Sequence, residues 1–260
     1  MIYTLLVLCL YDSRVHKPDR SEHLPSESIM KTTRRPLLLL VLAATLTSCT
    51  GERMMLHKGE RILFFGDSIT EQGAKPNGYV TLIREDLKAR FPDLELVIIG
   101  SGISGNKVTD LENRLGKDVI DQKPSLVVIY IGINDVWHWK LPNNKGTTKA
   151  EFDRRLREVV ARIQYFGAAV LLCTPSVIGE IPDSTYGQNP MLDEYSAISR
   201  KIAKELDTRL CDLHAAFRSY LLEHNPDKKE QGLLTTDGVH LNDAGNRLVA
   251  DEMLKFLGGR

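Results

Sequence analysis

The chain has 260 residues, of which 42% are hydrophobic, 26% charged and 7% aromatic; this excludes a disordered chain and a coiled coil, and the length suits one large domain or two small ones. Its 34 basic and 34 acidic side chains cancel, so no basic excess marks a nucleic-acid partner and no acidic run marks a solvating tail. Four cysteines are too few for a dense disulfide framework, and no apolar run reaches the ~18 residues that a membrane-spanning helix needs.

The first element reads as an address. Residues 37–46, LLLLVLAATL, carry no charge. Met30-Lys31-Thr32-Thr33-Arg34-Arg35 precedes them and Leu46-Thr47-Ser48-Cys49 closes them. A basic segment, a short apolar segment and small residues at a cut point make a secretory signal. The last four residues resemble the lipobox of bacterial lipoproteins, which implies cleavage before Cys49 and acylation of its thiol. Several acyl chains anchor stably where one is marginal. A plain signal peptide or a short core helix is the alternative. A start at Met30 gives the signal an ordinary length; otherwise Ile2 to Leu10 is a second hydrophobic element. Thr33-Arg34-Arg35 hints at twin-arginine export, whereas the leucine run suits the general route. The expected division is a targeting segment over 1–48, a tether over 49–59 and one domain over 60–260, located in the bacterial cell envelope, lipid-anchored or secreted.

Beyond the tether, strand and helix alternate. Arg61 to Phe65 is a short apolar run that ends in Gly-Asp-Ser. Leu94 to Ile99, Ser125 to Ile131, Ala168 to Thr174 and Arg209 to Leu213 complete five predicted strands. Nearly continuous apolar character suits strands covered on both faces. Val80, Ile83 and Leu87 fall at helical spacing, as do Phe152, Leu156, Val159 and Ile163. Leu248, Val249, Met253 and Leu257 stripe a last helix, which Asn242 or Asp243 can cap. This alternation predicts an α/β fold, a three-layer α/β/α sandwich around a central parallel sheet of about five strands.

In such sheets ligands bind at the carboxyl ends of the strands. After the first strand comes Gly66-Asp67-Ser68-Ile69-Thr70. Ser68 there serves either as a presented hydroxyl or as a helix cap, and the pattern is not the Gly-x-Ser-x-Gly elbow. After the second comes Gly100-Ser101-Gly102-Ile103-Ser104-Gly105-Asn106, which lets a backbone approach a ligand or simply makes a turn. Its place after the second strand rules out a dinucleotide fingerprint. After the third comes Gly132-Ile133-Asn134-Asp135. Asn134 can aim its amide at an oxyanion or hold a local turn. Ahead of the last helix stands Asp237-Gly238-Val239-His240. Asp237 can fix the tautomer of His240, or form an Asx turn beside a surface histidine.

Taken together, these four blocks resemble those of the SGNH (GDSL) hydrolases, in order: Gly66-Asp67-Ser68, Gly105, Gly132-x-Asn134-Asp135 and Asp237-x-x-His240. The resemblance covers about residues 60–257. Leu241 stands where many relatives carry proline after the histidine. The resemblance implies a flavodoxin-like SGNH fold and a carboxylic ester hydrolase with Ser68 as nucleophile, His240 as base and Asp237 as its partner. It also implies an oxyanion hole of Ser68, Gly105 and Asn134, and no metal or other cofactor. Asp67, Asp110 and Asp135 show no ligand spacing.

Trp137 and Trp139 flank His138 just after Asn134 and are expected on the rim of the site. There they stack on sugars or line an acyl pocket, unless one packs beneath the loop. The expected substrate is a small-molecule or glycan ester, foremost an O-acetyl group on carbohydrate. A lysophospholipase or thioesterase, an acyltransferase, or a non-catalytic binding lipoprotein are the alternatives. The membrane would be met only through the lipid anchor, and oligomeric state is open. The loop Pro175 to Pro190, with Tyr186, is expected in the pocket wall. Cys173 and Cys211 are expected to be neighbours at strand ends, as free thiols rather than a disulfide.

Overall fold

The structure is a computed structural model that describes residues 54–142 and 145–259. The targeting segment and Cys49 lie outside the described residues. In chain order the strands are β1 (Met54–Met55), β2 (Arg61–Gly66), β3 (Val97–Gly102), β4 (Leu126–Tyr130), β5 (Ala169–Cys173), β6 (Arg209–Cys211) and β7 (Leu257–Gly259). The α-helices are α1 (Ser68–Gly73), α2 (Tyr79–Arg90), α3 (Val108–Asp118), α4 (Ile133–Trp137), α5 (Lys149–Tyr165), α6 (Asn189–Glu205), α7 (Leu213–His224) and α8 (Asp243–Leu254).

The main sheet has five strands in the order β3-β2-β4-β5-β6, and every neighbouring pair is parallel. Ile62 to Phe65 and all of β4 are buried, which is why their sequences are apolar without alternation. β3 lies at one edge and is only partly covered. Helices α3, α5 and α6 pack together, as do α2 and α8 with α7. On α5 the buried residues are Phe152, Leu156, Val159, Val160 and Ile163, and the Thr148 hydroxyl caps its start by accepting from the Glu151 N–H. The expected α/β architecture is therefore the one observed.

The chain leaves β2, pairs on one side as β3, then crosses to the other side of β2 as β4. That reversal opens a crevice at the carboxyl ends of β2 and β4, where doubly wound folds bind ligands. Three boundaries differ from the sequence reading. Pro92–Leu94 is a 3₁₀ turn, and the second strand starts at Val97, in register with Arg61. α8 ends at Leu254, and Leu257 opens β7. β7 pairs in parallel with β1, so residues from Met54 onward, read above as tether, belong to the packed domain, with Met54 and Leu56 buried.

Candidate active site

Ser68 stands at the junction of β2 and α1, with Asp67 as the helix cap. The Asp67 carboxylate accepts the Ile69 N–H at 2.9 Å. The cap is thus Asp67, which leaves the Ser68 hydroxyl free to turn toward the crevice. There Ser68 Oγ lies 3.0 Å from His240 Nε2, across 172 residues of chain. His240 Nδ1 lies 2.7 Å from Asp237 Oδ2. Asp237 Oδ1 accepts the backbone N–H groups of Val239 at 3.0 Å and His240 at 2.8 Å. Burial pushes the Asp237 carboxyl up, but these bonds outweigh it and hold it below the usual range. The loop is the compact turn that an Asp three residues before a His allows.

Gly105 follows β3 with φ +78°, a left-handed conformation that favours glycine. Gly102 is required for a different reason. A Cβ there would stand 2.1 Å from the Glu71 backbone nitrogen, so glycine alone lets β3 close on α1. Asn134 is buried in the first turn of α4. Its Nδ2 donates to the Asn106 carbonyl at 3.0 Å. An amide nitrogen carries two hydrogens; this bond fixes the plane and leaves the second for a ligand. The four blocks therefore meet at one crevice.

Trp137 places its ring 6.2 Å from the His240 ring, edge to face. Trp139 is 42% exposed. His138 between them is buried. The rim expected from sequence is thus split: Trp137 borders the histidine, while Trp139 packs over Gly146. Cys173 and Cys211 are paired in register across β5 and β6, buried, and free thiols.

Two residues here escaped the sequence reading. Arg114 on α3 donates to Asn106 Oδ1 at 2.7 Å, Ser101 Oγ at 3.0 Å, the Ser101 carbonyl at 3.1 Å and the Gly66 carbonyl at 2.7 Å, and to Asp118 at 2.9 Å. Its guanidinium also sits 4.4 Å from the centre of the Phe65 ring. One side chain thereby ties the ends of β2 and β3 to the Gly105–Asn106 turn, which suits the rigid five-donor fork of arginine. The second is Glu180, a fully buried carboxylate in the loop after β5. The only signal for Arg114 was its place beside the Leu111 and Leu115 stripe of a helix that carries several other charges, and Glu180 gave none.

Residues 64–248 match the GDSL-like Lipase/Acylhydrolase family, and the chain belongs to it. Within that class the chain resembles carbohydrate esterases. An acetylxylan esterase of Geobacillus stearothermophilus is 35% identical over 222 residues, covering 79% of this chain and 97% of the relative. Solved structures of an acetylxylan esterase from that organism include catalytic mutants with alanine in place of a serine, an aspartate and a histidine. The crystal structure of another acetyl xylan esterase is 43% identical, with a TM-score of 0.72, and covers 75% of this chain and 98% of its own. A lipoprotein of Bacillus subtilis, YqeF, is 23% identical over 242 residues, 82% of this chain and 93% of its own. The chain is a carboxylic ester hydrolase on the SGNH fold.

Proposed function

We propose that this enzyme removes O-acetyl groups from carbohydrate through an acyl-enzyme on Ser68. The observation that carries the mechanism is the unbroken line from Ser68 Oγ to His240 at 3.0 Å and from His240 to Asp237 at 2.7 Å. An unaided serine hydroxyl is a weak nucleophile. In this reading His240 Nε2 takes its proton as Oγ attacks the ester carbonyl. The N–H groups of Ser68 and Gly105 and the Asn134 amide receive the oxyanion. His240 then protonates the leaving sugar hydroxyl, and water, activated by the same imidazole, releases acetate from Ser68. Asp237 holds the tautomer and supports the imidazolium.

The acetyl-carbohydrate assignment is supported by the relatives whose names carry acetylxylan, and by Trp137 beside His240, where an indole face suits a sugar ring. The Leu46-Thr47-Ser48-Cys49 lipobox and the lipoprotein relative support a place in the cell envelope with Cys49 as the anchor.

The test is hydrolysis of p-nitrophenyl esters from acetyl to palmitoyl, and acetate release from acetylated xylan, with wild type beside Ser68→Ala. Activity confined to short acyl chains, released from the glycan and lost in Ser68→Ala, is the expected result. A preference for long chains redirects the search to lipids. Undiminished hydrolysis by purified Ser68→Ala removes the serine mechanism.

A further inference from the structure

We propose that Glu180 is a positioning residue for the acid–base half of this site. The inference rests on the triad reading above and extends it to the loop after β5, which sequence placed only in the pocket wall. Glu180 is completely buried. Its Oε2 accepts the Leu233 N–H at 2.8 Å. Its Oε1 accepts the Leu234 N–H at 2.7 Å, the Thr235 N–H at 2.6 Å and the Thr235 hydroxyl at 2.7 Å. All four donors are neutral. A buried carboxylate without a cation is tolerated only when donors surround it, and such bonds are about twice as strong as neutral ones. Three consecutive backbone N–H groups converge on one carboxylate only if the backbone curls around it. Glu180 therefore dictates the path of residues 233–235.

That path leads into the triad. Thr235 Oγ1, while donating to Glu180, accepts the Gly238 N–H at 3.1 Å. The Gly179 N–H donates to the Gly238 carbonyl at 2.8 Å. Residues 179 and 180 thus grip the turn between Asp237 and His240 from both sides. The contrast with Ser68 explains the need. Ser68 sits where a central strand of the sheet meets α1. The loop bearing Asp237 and His240 belongs to no sheet; a single bridge, Thr235 to Leu241, closes it. Glu180 gives that loop the reference to the core that β2 gives the nucleophile.

The experiment is steady-state kinetics on p-nitrophenyl acetate with Glu180→Gln, Thr235→Val and Asp237→Asn, alone and with Glu180→Gln added to Asp237→Asn. Glutamine keeps the shape but turns an acceptor oxygen into an NH₂ that faces donors. A misplacement of ~1 Å can cost about 10²-fold, so Glu180→Gln is expected to lower kcat ten- to a hundredfold, on the order of that limit, with KM little changed. Thr235→Val, which cuts the relay to Gly238, lowers kcat in the same sense by less. In the Asp237→Asn background the added Glu180→Gln costs no more than about threefold, because residues acting as one unit are not additive. A folded Glu180→Gln with wild-type kcat, or losses that multiply in the double variant, overturns the proposal. If Glu180→Gln does not fold, Thr235→Val decides alone, and an unchanged kcat overturns it. Fully active Ser68→Ala and Asp237→Asn enzymes would remove the triad reading itself, whereas an inactive Ser68→Ala and a strongly impaired Asp237→Asn beside a fully active Glu180→Gln remove only the brace.

Discussion

Asp67 neighbours Ser68 and is buried. Burial raises its carboxyl from 3.8 to about 7; the Ile69 N–H opposes this, the nearby Asp135 adds to it and His240 opposes it. Between those two values the unfolded chain has lost the proton and the folded chain keeps it. Stability therefore falls as pH rises through that window and levels off above it. Asn caps helices as well as Asp. Asp67→Asn is expected to keep the α1 cap and gain on wild type by a few kcal/mol as pH rises from 3.8 to about 7; parallel melting curves for the two proteins would refute this. At this scale the sequence made the polar residues of the site legible, because Ser68, Asn134, Asp237 and His240 each follow a strand or precede a helix in a patterned turn. It hid Arg114 and Glu180, since a charged letter carries no mark of burial. What makes Glu180 important is four donors drawn from residues more than fifty positions away.

Among the elements, the central strands were read most easily. β4, β2 from Ile62 and β5 from Val170 are buried, so their letters run apolar without alternation. The edge strand β3 was placed too early because Leu94 and Leu96 extend the apolar run past the residues that pair with β2. α6 was not foreseen: Ser196 and Ser199 lie on its buried face and break the stripe. α3 does carry the spacing, in Val108, Leu111 and Leu115, but it follows directly on the glycine-rich turn. α5 is the helix whose pattern and packing agree best, and Leu156 on it is fully buried. Leu156→Ala is expected to cost about 2–5 kcal/mol in urea unfolding while the KM for p-nitrophenyl acetate stays put, since α5 supplies no group to the crevice. A change below half a kilocalorie would mean that this layer is not part of the cooperative core.

For the whole molecule, buried acids and surface clusters pull stability in opposite directions along the pH axis. Asp135, like Asp67, is raised by burial, to about 6, despite its bonds to Thr147 and Val108. Both favour the folded state in acid. Burial also pushes up Asp193 and Asp212, but His214 and Arg218 hold the first, and Arg200 and the Ala215 N–H the second, below the usual range. Their stabilisation, with that of Asp237, is lost as pH falls below the ordinary aspartate value. His138 is lowered by burial and by Lys107 and so favours the folded state at higher pH, but it is one imidazole against two carboxyls. The melting temperature is therefore expected to peak in mildly acidic buffer and to decline toward neutrality; a scan that rises steadily to pH 8 would contradict the balance drawn here. The span between Ser68 and His240 also orders events in time. A growing chain exposes the serine long before the histidine, 172 positions later, has been made. In the proposed mechanism the half-made protein would hold a nucleophile without its base. On the proposed mechanism, acyl transfer needs β2 and the turn before α8 to have both emerged and docked, so an immature chain would leave its ester substrate untouched.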